Sequence, residues 1–394
     1  MAFGIYIHIP YCVKKCPYCD FNSYALSKLV PEEKYTEALL KEIDLNSNII
    51  GGKELDTVFF GGGTPSLFSS GSIEKIMNKL LSHCTQGHVI EATVEVNPKT
   101  ADSQKLLGFR SAGINRISVG VQSFAMEKLE FLGRINTAED SVNTVHDTAR
   151  AGFDNISIDL MFGVPGESLE GWRSDLERAV NLPLTHISCY CLTVEEGTQF
   201  AALQREGSME LPGDDTAASM LQLTKEYLED AGYRQYEVSN YSLEGRQCLH
   251  NVLYWKGQNY LGLGAGAHSH IKKDFSDSVD QSSWGRRWAN IKNPDVYIKT
   301  LMAGGSPVVF KENLSKQQAL EDRILMGLRL REGLNTSEIR DEYGAQFDSG
   351  AMRHLFDDGF LEQRKGRLRV TDKGTPLLDG LIMSVVGSAI CAPM

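Results

Sequence analysis

The segment "IYIHIPYCVKKCPYCDFNSY", residues 5–24, passes from a strand-like run into a loop that carries three of the chain's eight cysteines. In the strand-like part, Ile5, Ile7 and Ile9 alternate with Tyr6 and His8. This period of two is typical of a strand with one apolar and one polar face. The sequence therefore places three soft metal ligands directly after the carboxyl end of a predicted strand.

The same alternation recurs through the first half of the chain. Strands are predicted over residues 4–9, 57–60, 92–96, 115–121, 155–161 and 186–192. Helical patterns, with apolar residues spaced by three and four, lie between several of them, over residues 73–81, 142–149 and 169–180. Strands that alternate with helices predict βαβ units and a parallel sheet. An antiparallel sheet with one wet face is the alternative, which the intervening helices disfavour.

The polar face of these strands predicts a barrel with a polar interior. Parallel strands covered by helices on both faces are usually apolar throughout, whereas these keep polar residues on one side. Glu95, Gln122 and Asp159 lie on that side, near the carboxyl ends of the third, fourth and fifth strands. Barrels of this kind form their active sites at the carboxyl ends of the strands. We therefore expect a polar ligand inside the barrel.

Composition and charge restrict the class of protein. A chain of 394 residues with 42% hydrophobic content can form one large domain and a small one. A net charge of −11 argues against broad binding of nucleic acid or anionic membranes. There is no apolar run of about 18 residues, which a membrane span requires, and the first residues do not resemble a signal peptide. We expect a cytoplasmic protein, in whose reducing compartment clustered cysteines are more often metal ligands than disulfides.

The loop spacing Cys-x3-Cys-x2-Cys, formed by Cys12, Cys16 and Cys19, favours an iron–sulfur cluster. Three thiolates can hold a [4Fe–4S] cluster and leave one iron open to another ligand. A structural zinc ion normally has four protein ligands, and His8 or Asp20 could supply the fourth, so zinc stays an alternative. The remaining cysteines are scattered, and we interpret them as small apolar residues: Cys84, Cys189, Cys191, Cys248 and Cys391.

In this loop the chain resembles the radical S-adenosylmethionine (SAM) superfamily. The stretches "YIHIPYCVKKCPYCDF" and "FFGGGTPSL" are similar to the group that contains oxygen-independent coproporphyrinogen oxidase and the HemW-type heme chaperones. The resemblance covers nearly the whole chain and implies a partial (β/α)6 barrel, with a [4Fe–4S] cluster on the three loop cysteines and SAM on its open iron. It also implies SAM contacts at the matching positions, which are Tyr6, Tyr18, Gly62, Gly63, Thr64, Glu95, Gln122, Arg134 and Asp159.

Two features separate the chain from the oxidase within this group. Phe21 stands where the oxidase has a further cysteine, two residues after the third ligand. Cys12 also comes too early to leave room for the N-terminal extension of the oxidase. Both features are expected of the heme chaperones.

The stretch "CLHNVLYW", residues 248–255, resembles the HNxxYW signature of the chaperones. The resemblance implies heme binding by His250, Asn251, Tyr254 and Trp255. A neutral imidazole is a good axial ligand for heme iron, and the aromatic rings offer flat faces to a porphyrin. The alternative is a core histidine beside two packed aromatic residues. Rival ligands are Cys248, His268 and His270, although we expect the segment "GLGAGAHSH", residues 262–270, to be a packed loop.

The tail has a different pattern. Helices near residues 316–331, 335–343 and 349–358 precede "GFLEQRKGRLRVTDKG", residues 359–374, which alternates like a hairpin. This predicts a small helical, winged-helix-like domain, whose acidic helices disfavour DNA binding, so we expect a packing or docking role. The predicted domains are a barrel over residues 1–235, a connecting region with the HNxxYW motif over 236–305, and the C-terminal domain over 306–394.

These patterns predict an α/β protein, and the resemblance implies that it acts as a heme chaperone. It would bind a [4Fe–4S] cluster, SAM and heme, and transfer heme to acceptor proteins, among which membrane respiratory hemoproteins are candidates. Oxygen-independent coproporphyrinogen III oxidation is the enzymatic alternative, and a zinc-dependent binding protein is a third. The sequence leaves open whether SAM is cleaved and in what oligomeric state the chain acts.

Overall fold

The computed structural model describes residues 2–26, 29–85, 87–276, 280 and 282–391, with the backbone alone for residues 390 and 391. Its strands are β1 (Phe3–Ile9), β2 (Tyr11–Cys12), β3 (Tyr24–Ala25), β4 (Thr57–Gly62), β5 (Glu91–Val96), β6 (Arg116–Gln122), β7 (Ile156–Phe162), β8 (His186–Cys191), β9 (Arg234–Gln235), β10 (Asn240–Ser242), β11 (Asn259–Leu263), β12 (His268–Lys272), β13 (Gly285–Asn290), β14 (Val308–Leu314), β15 (Leu334–Asn335), β16 (Ala345–Phe347), β17 (Leu361–Arg364), β18 (Arg367–Val370) and β19 (Ala389–Cys391).

The helices lie mainly between the barrel strands and in the tail. They are α1 (Glu32–Leu45), α2 (Ser47–Ile50), α3 (Ser70–His83), α4 (Ser103–Ser111), α5 (Met126–Phe131), α6 (Ala138–Arg150), α7 (Leu169–Val180), α8 (Gln199–Arg205), α9 (Asp214–Asp230), α10 (Leu249–Trp255), α11 (Pro294–Met302), α12 (Lys316–Gly327), α13 (Thr336–Tyr343), α14 (Arg353–Asp357) and α15 (Leu378–Ser388). Within the described ranges, no helix has the length and hydropathy that a membrane span requires.

The predicted parallel sheet is confirmed. Strands β1, β4, β5, β6, β7 and β8 are neighbours in that order, and each pair is parallel. The apolar face of β1 is fully buried, with Ile5 and Ile7 at 0% exposure, whereas Tyr6 between them borders an interior cavity. The predicted alternation therefore separates a helix-covered face from a cavity-facing one.

The sheet extends beyond the six predicted strands at both ends. Strand β11 pairs in parallel with β1, and antiparallel β12, β13 and β14 follow it, while β10 and β9 extend the sheet beyond β8. The segment at residues 262–270 was predicted as a packed loop, and that prediction was wrong, because much of it belongs to β11 and β12. Its pairing partner β1 lies more than two hundred residues earlier, so a local pattern could not reveal it. The predicted domain limits at residues 235 and 305 stay predictions.

The tail forms a second apolar core, which runs from Leu320 to Val385 and is separate from the barrel core. Helices α12, α13 and α14 and the β17–β18 hairpin confirm the predicted elements, although α12 ends earlier than expected. Helix α15 was not predicted.

A buried carboxyl group ties the first barrel helix to the later strands. Glu42 on α1 is 2% exposed and accepts hydrogen bonds from the Gly264 backbone at 2.8 Å, the Asn290 side chain at 2.5 Å and the Tyr297 hydroxyl at 2.5 Å. Burial raises the pKa of Glu42 to about 7, and the three hydrogen bonds partly offset this. The interaction joins α1 to the β11–β12 connection, β13 and α11.

We expect Glu42→Ala to lower the free energy of unfolding by about 3–5 kcal/mol, because it leaves three buried donors without an acceptor. Urea unfolding at several pH values measures this. The pKa of Glu42 is higher in the folded protein, at about 7, than in the unfolded chain. As pH rises from the ordinary carboxyl pKa to about 7, the contribution of this carboxyl group to stability therefore falls. Glu42→Gln, the control, should lack that part of the pH dependence. An unchanged urea midpoint for Glu42→Ala would contradict the prediction.

Candidate functional site

A cavity of about 630 Å³ occupies the barrel interior. At the carboxyl ends of the strands it is bordered by the three loop cysteines. At the opposite end it is bordered by the first residues of β6 and β8 and by α10 with the residue before it, namely Arg116, His186, Cys248, His250, Asn251 and Tyr254. All of the predicted SAM-contact positions also border the cavity. They are Tyr6, Tyr18, Gly62, Gly63, Thr64, Glu95, Gln122, Arg134 and Asp159. The cavity thus joins the cysteine loop to the HNxxYW helix.

The three loop thiols face the same part of this cavity. Thr64 Oγ1 donates to Cys12 Sγ at 3.6 Å, and Cys19 Sγ lies 3.7 Å from Ser23 Oγ. Burial raises the pKa of the Cys12 thiol, while the Thr64 hydrogen bond opposes that rise. Cys16 and Cys19 are half-buried. The loop therefore presents three sulfur donors that share one wall of the cavity.

Polar contacts hold this loop on both sides. The Asn22 side chain donates to the backbone carbonyls of Ala265 and Lys292, each at 2.9 Å. His8 Nε2 lies 2.8 Å from the Asn22 carbonyl oxygen, and β2 pairs with β3 across the loop. These contacts involve no thiol group, so the polypeptide itself contributes to holding the loop.

Two glycines at the end of β4 allow close packing against the cysteine loop. Gly62 has a φ of 115°, where other residues are strained, and its backbone N–H donates to Glu95 Oε2 at 3.2 Å. A Cβ atom on Gly63 would lie 2.7 Å from the Tyr11 carbonyl oxygen. A side chain at either position would displace its surroundings, so backbone lines this part of the cavity.

Two carboxyl groups face each other across the strands. Burial, and secondarily the charge of Asp159, raise the pKa of Glu95 to about 8. Burial also raises the pKa of Asp159. Glu95 is therefore largely protonated near neutral pH, and a cationic ligand in the cavity would favour its ionised form.

Arg134 connects the strand ends to the cysteine loop. Its guanidinium donates to the Asn97 side chain and, at 2.5 Å, to the Gly120 carbonyl, and its Nη1 lies 4.0 Å from Cys16 Sγ. Gln122 nearby has a φ of 68°, and the β6–β7 register shifts between Val119 and Gln122. A bulge with left-handed backbone at a non-glycine residue is a feature that often marks functional sites.

His250 on α10 is 1% exposed, and both of its ring nitrogens have partners. Nδ1 lies 2.7 Å from Thr57 Oγ1, and Nε2 lies 3.1 Å from the Tyr254 hydroxyl. The ring stacks on Phe59, with centroids 5.3 Å apart. Burial lowers the pKa of His250 to about 3, so the imidazole is neutral. In this conformation it combines the packing of a core histidine with a position beside the cavity.

The other residues predicted for heme are only partly brought together. Asn251 and Tyr254 join His250 at the cavity, whereas Trp255 is not part of the described cavity wall. The guanidinium carbon of Arg329 lies 5.9 Å from the centroid of the Trp255 ring. His268 and His270 also lie outside the described wall. Cys248 borders the cavity, but its thiol donates to Glu91 Oε1 at 3.5 Å.

Other cavity residues were not singled out from the sequence, although the alternating pattern contained a signal for some of them. Arg116 and Ser118 fall on the predicted polar face of β6, and His186 begins β8. Among the scattered cysteines, Cys189 and Cys248 are buried as predicted, Cys84 is half-buried and Cys191 is exposed. The side chain of Cys391 lies outside the described residues.

Comparisons with known proteins agree with this geometry. A profile of the radical SAM superfamily matches residues 6–179, and one of the HemN C-terminal domain matches residues 314–377. A coproporphyrinogen III oxidase (HemN) structure from Escherichia coli, described as a radical SAM enzyme, shares the fold, with a TM-score of 0.80 over 98% of this chain and 90% of that one, at 21% identity.

Curated relatives cover most of the chain. The heme chaperone HemW of Buchnera aphidicola is 33% identical over 96% of this chain and 97% of its own length. HemW of Escherichia coli is 40% identical over 268 residues, which are 68% of this chain and 70% of the relative. The mitochondrial radical S-adenosyl methionine domain-containing protein 1 of Danio rerio is 33% identical over 97% of this chain and 86% of its own length. The chain therefore belongs to the radical SAM superfamily and, within it, to the HemW family.

Proposed function

We propose that this protein is a heme chaperone, which binds a [4Fe–4S] cluster and SAM at the carboxyl ends of the barrel strands and heme beside α10. The observation that carries the proposal is the cavity, which has the three loop cysteines at one end and His250, Asn251 and Tyr254 at the other. Similarity to heme chaperones over nearly the whole chain supports it. Heme would then pass to acceptor hemoproteins, with membrane respiratory hemoproteins as candidates, and we place this activity in the cytoplasm.

Radical SAM proteins hold a [4Fe–4S] cluster and SAM, and the residues present fit both groups. Cys12, Cys16 and Cys19 supply three sulfur donors to one wall, and the backbone at Gly62 and Gly63 lines the cavity beside them. A cluster held by these cysteines would supply an electron and an iron that is open to SAM.

The chain's own residues prepare the site for a charged ligand. The Thr64 hydroxyl donates to Cys12 Sγ, which favours the thiolate that a metal requires. Glu95 and Asp159 provide carboxyl groups that can lose their protons to a cationic ligand. Arg134 places positive charge between the strand ends and Cys16. The site therefore offers opposite charges to the two ends of an amino-acid-like ligand.

Heme ligation by His250 would require one of its present hydrogen bonds to break. The contact from Nε2 to the Tyr254 hydroxyl is longer than the contact from Nδ1 to Thr57. Tyr254 also borders the cavity, whereas Thr57 lies within the sheet. We therefore propose that Nε2 binds iron after the Tyr254 hydroxyl is displaced, and that the Thr57 contact keeps the imidazole oriented.

An anaerobic heme titration of the protein with its cluster, together with an assay of coproporphyrinogen III decarboxylation in the presence of SAM and reductant, tests the function. We expect heme to bind and no decarboxylation to occur. His250→Ala should weaken binding or shift the Soret band, because the axial ligand sets the iron spectrum. Tyr254→Phe, the matched control, keeps the ring but frees Nε2 and should keep the band position.

Conversion of coproporphyrinogen III would instead establish the oxidase, the second candidate, which the shared fold favours and Phe21 disfavours. Heme binding with an unchanged spectrum in His250→Ala would refute the ligand assignment and leave the chaperone proposal standing.

A further inference from the structure

Arg116, at the start of β6, is a buried cation without a direct partner. Its side chain is 2% exposed and borders the end of the cavity opposite the cysteine loop. Among the described residues, none forms a hydrogen bond or an ion pair with its guanidinium, and its Nε is shielded from solvent and unpaired. Buried polar groups are nearly always hydrogen-bonded, and buried charges are normally paired. The unpaired guanidinium therefore indicates a binding position.

The two carboxyl groups near Arg116 do not pair with it directly. Glu91 accepts from the backbone N–H groups of Leu249 and His250, each at 3.0 Å, and from the thiol of Cys248 at 3.5 Å. The Ser188 and Ser118 hydroxyls lie near the Asp159 carboxyl and partly oppose the rise in its pKa that burial causes. Both carboxyl groups act on Arg116 electrostatically, but neither lies within ion-pair distance of it.

The neighbouring imidazoles add no positive charge to that of Arg116, because burial lowers the pKa of both His186 and His250. His186 contacts Ser157 and Tyr236, each at 2.8 Å, and His250 contacts Thr57 and Tyr254. Both histidines are buried and uncharged. A ligand anion would thus meet one fixed guanidinium flanked by neutral rings, and the planar fork of that group matches a carboxylate.

We propose that Arg116 binds a propionate carboxylate of heme and so makes the site specific for porphyrins with free acid side chains. This rests on the proposed function. SAM also carries a carboxylate, but Arg116 lies at the amino end of β6, away from the cysteine loop, where Arg134 is the available guanidinium. Arg116 also borders the same cavity as His250, the proposed iron ligand.

The test compares iron protoporphyrin IX with its dimethyl ester, in the same dilute detergent, by anaerobic titration of the protein with its cluster. The unchanged protein should bind the free acid about 10- to 100-fold more tightly than the ester, as expected for one charge-assisted hydrogen bond. Arg116→Gln should remove most of that preference, because it should weaken binding of the free acid and leave binding of the ester unchanged. Arg116→Lys should keep part of it, and SAM affinity should stay unchanged in this variant, because the positive charge near Glu95 and Asp159 is retained.

Equal affinity of the unchanged protein for acid and ester would overturn the role of Arg116 and leave heme binding intact, and this comparison needs no variant to fold. Loss of SAM binding in Arg116→Gln with unchanged heme binding would assign the carboxylate to SAM instead and also overturn the proposal. Failure of the unchanged protein to bind either porphyrin would refute the proposed function itself.

Discussion

Cys16→Ser should remain colourless after anaerobic reconstitution, whereas the unchanged protein should be brown and hold about four iron and four sulfide ions per chain. At the cysteine loop, the described cavity wall contains three thiols. The loss of one therefore leaves two protein ligands for a cluster that needs three. Serine has nearly the same size as cysteine, but its hydroxyl is a poor ligand for iron in such clusters. We expect loss of essentially all bound iron.

Iron and sulfide analysis with visible absorption measures the effect. Cys84→Ser is the matched control, because Cys84 directly follows helix α3 and lies outside the described cavity wall. It should reconstitute as the unchanged protein does. Retention of four iron ions in Cys16→Ser would disprove the assignment. A colourless unchanged protein with one tightly held zinc ion would favour the zinc hypothesis instead.

Glu95→Ala should weaken SAM binding by about 10- to 100-fold, the usual cost of one charge-assisted hydrogen bond of about 1.5–3 kcal/mol. The carboxyl group lies on the cavity face of β5 and faces Asp159 of β7. Isothermal titration of the cluster-loaded protein measures the affinity. Glu33→Ala, an exposed position on α1, is the control and should leave it unchanged. Unaltered affinity in both Glu95→Ala and Asp159→Ala would mean that SAM binds elsewhere.

The pH dependence gives an independent check on the same residue. Because the pKa of Glu95 is raised to about 8, binding of a cation at neutral pH must displace its proton. SAM affinity should therefore increase as pH rises towards about 8 and level off above it. Glu95→Gln, which cannot ionise, should bind more weakly and lose this part of the dependence. A parallel pH profile in both proteins would argue against an ionised Glu95 in the complex.

The barrel could be predicted because its pattern is local. Alternation such as that of Ile5, Tyr6 and Ile7 fixes which face meets the helices, and the loop spacing of the cysteines is visible in eight residues. The strands β11 to β14 could not be predicted in the same way, since the pairing of β11 with β1 spans most of the chain. Edge strand β14 also has an exposed pattern that lacks clear alternation.

The candidate site shows the same limit. The sequence placed His250 beside Tyr254, but it could not show that Thr57 and Tyr254 occupy both ring nitrogens, because Thr57 comes from a strand almost two hundred residues away. It placed Arg116 on a polar face, yet a missing partner is visible only once every neighbour is known. Trp255 follows Tyr254 directly, but neighbouring residues of a helix point in different directions. The two rings therefore have different surroundings.

We expect the anchoring of the cysteine loop by Asn22 to affect how the protein survives exposure to oxygen. Small zinc domains acquire their shape only when the metal binds, so metal loss unfolds them. Here the contacts of Asn22 with Ala265 and Lys292 involve no sulfur atom, so we expect them to survive loss of the cluster. A cluster destroyed by oxidation could then be rebuilt on the same folded chain. The working life of the protein would thus be set by repair of its cluster rather than by synthesis of new chains.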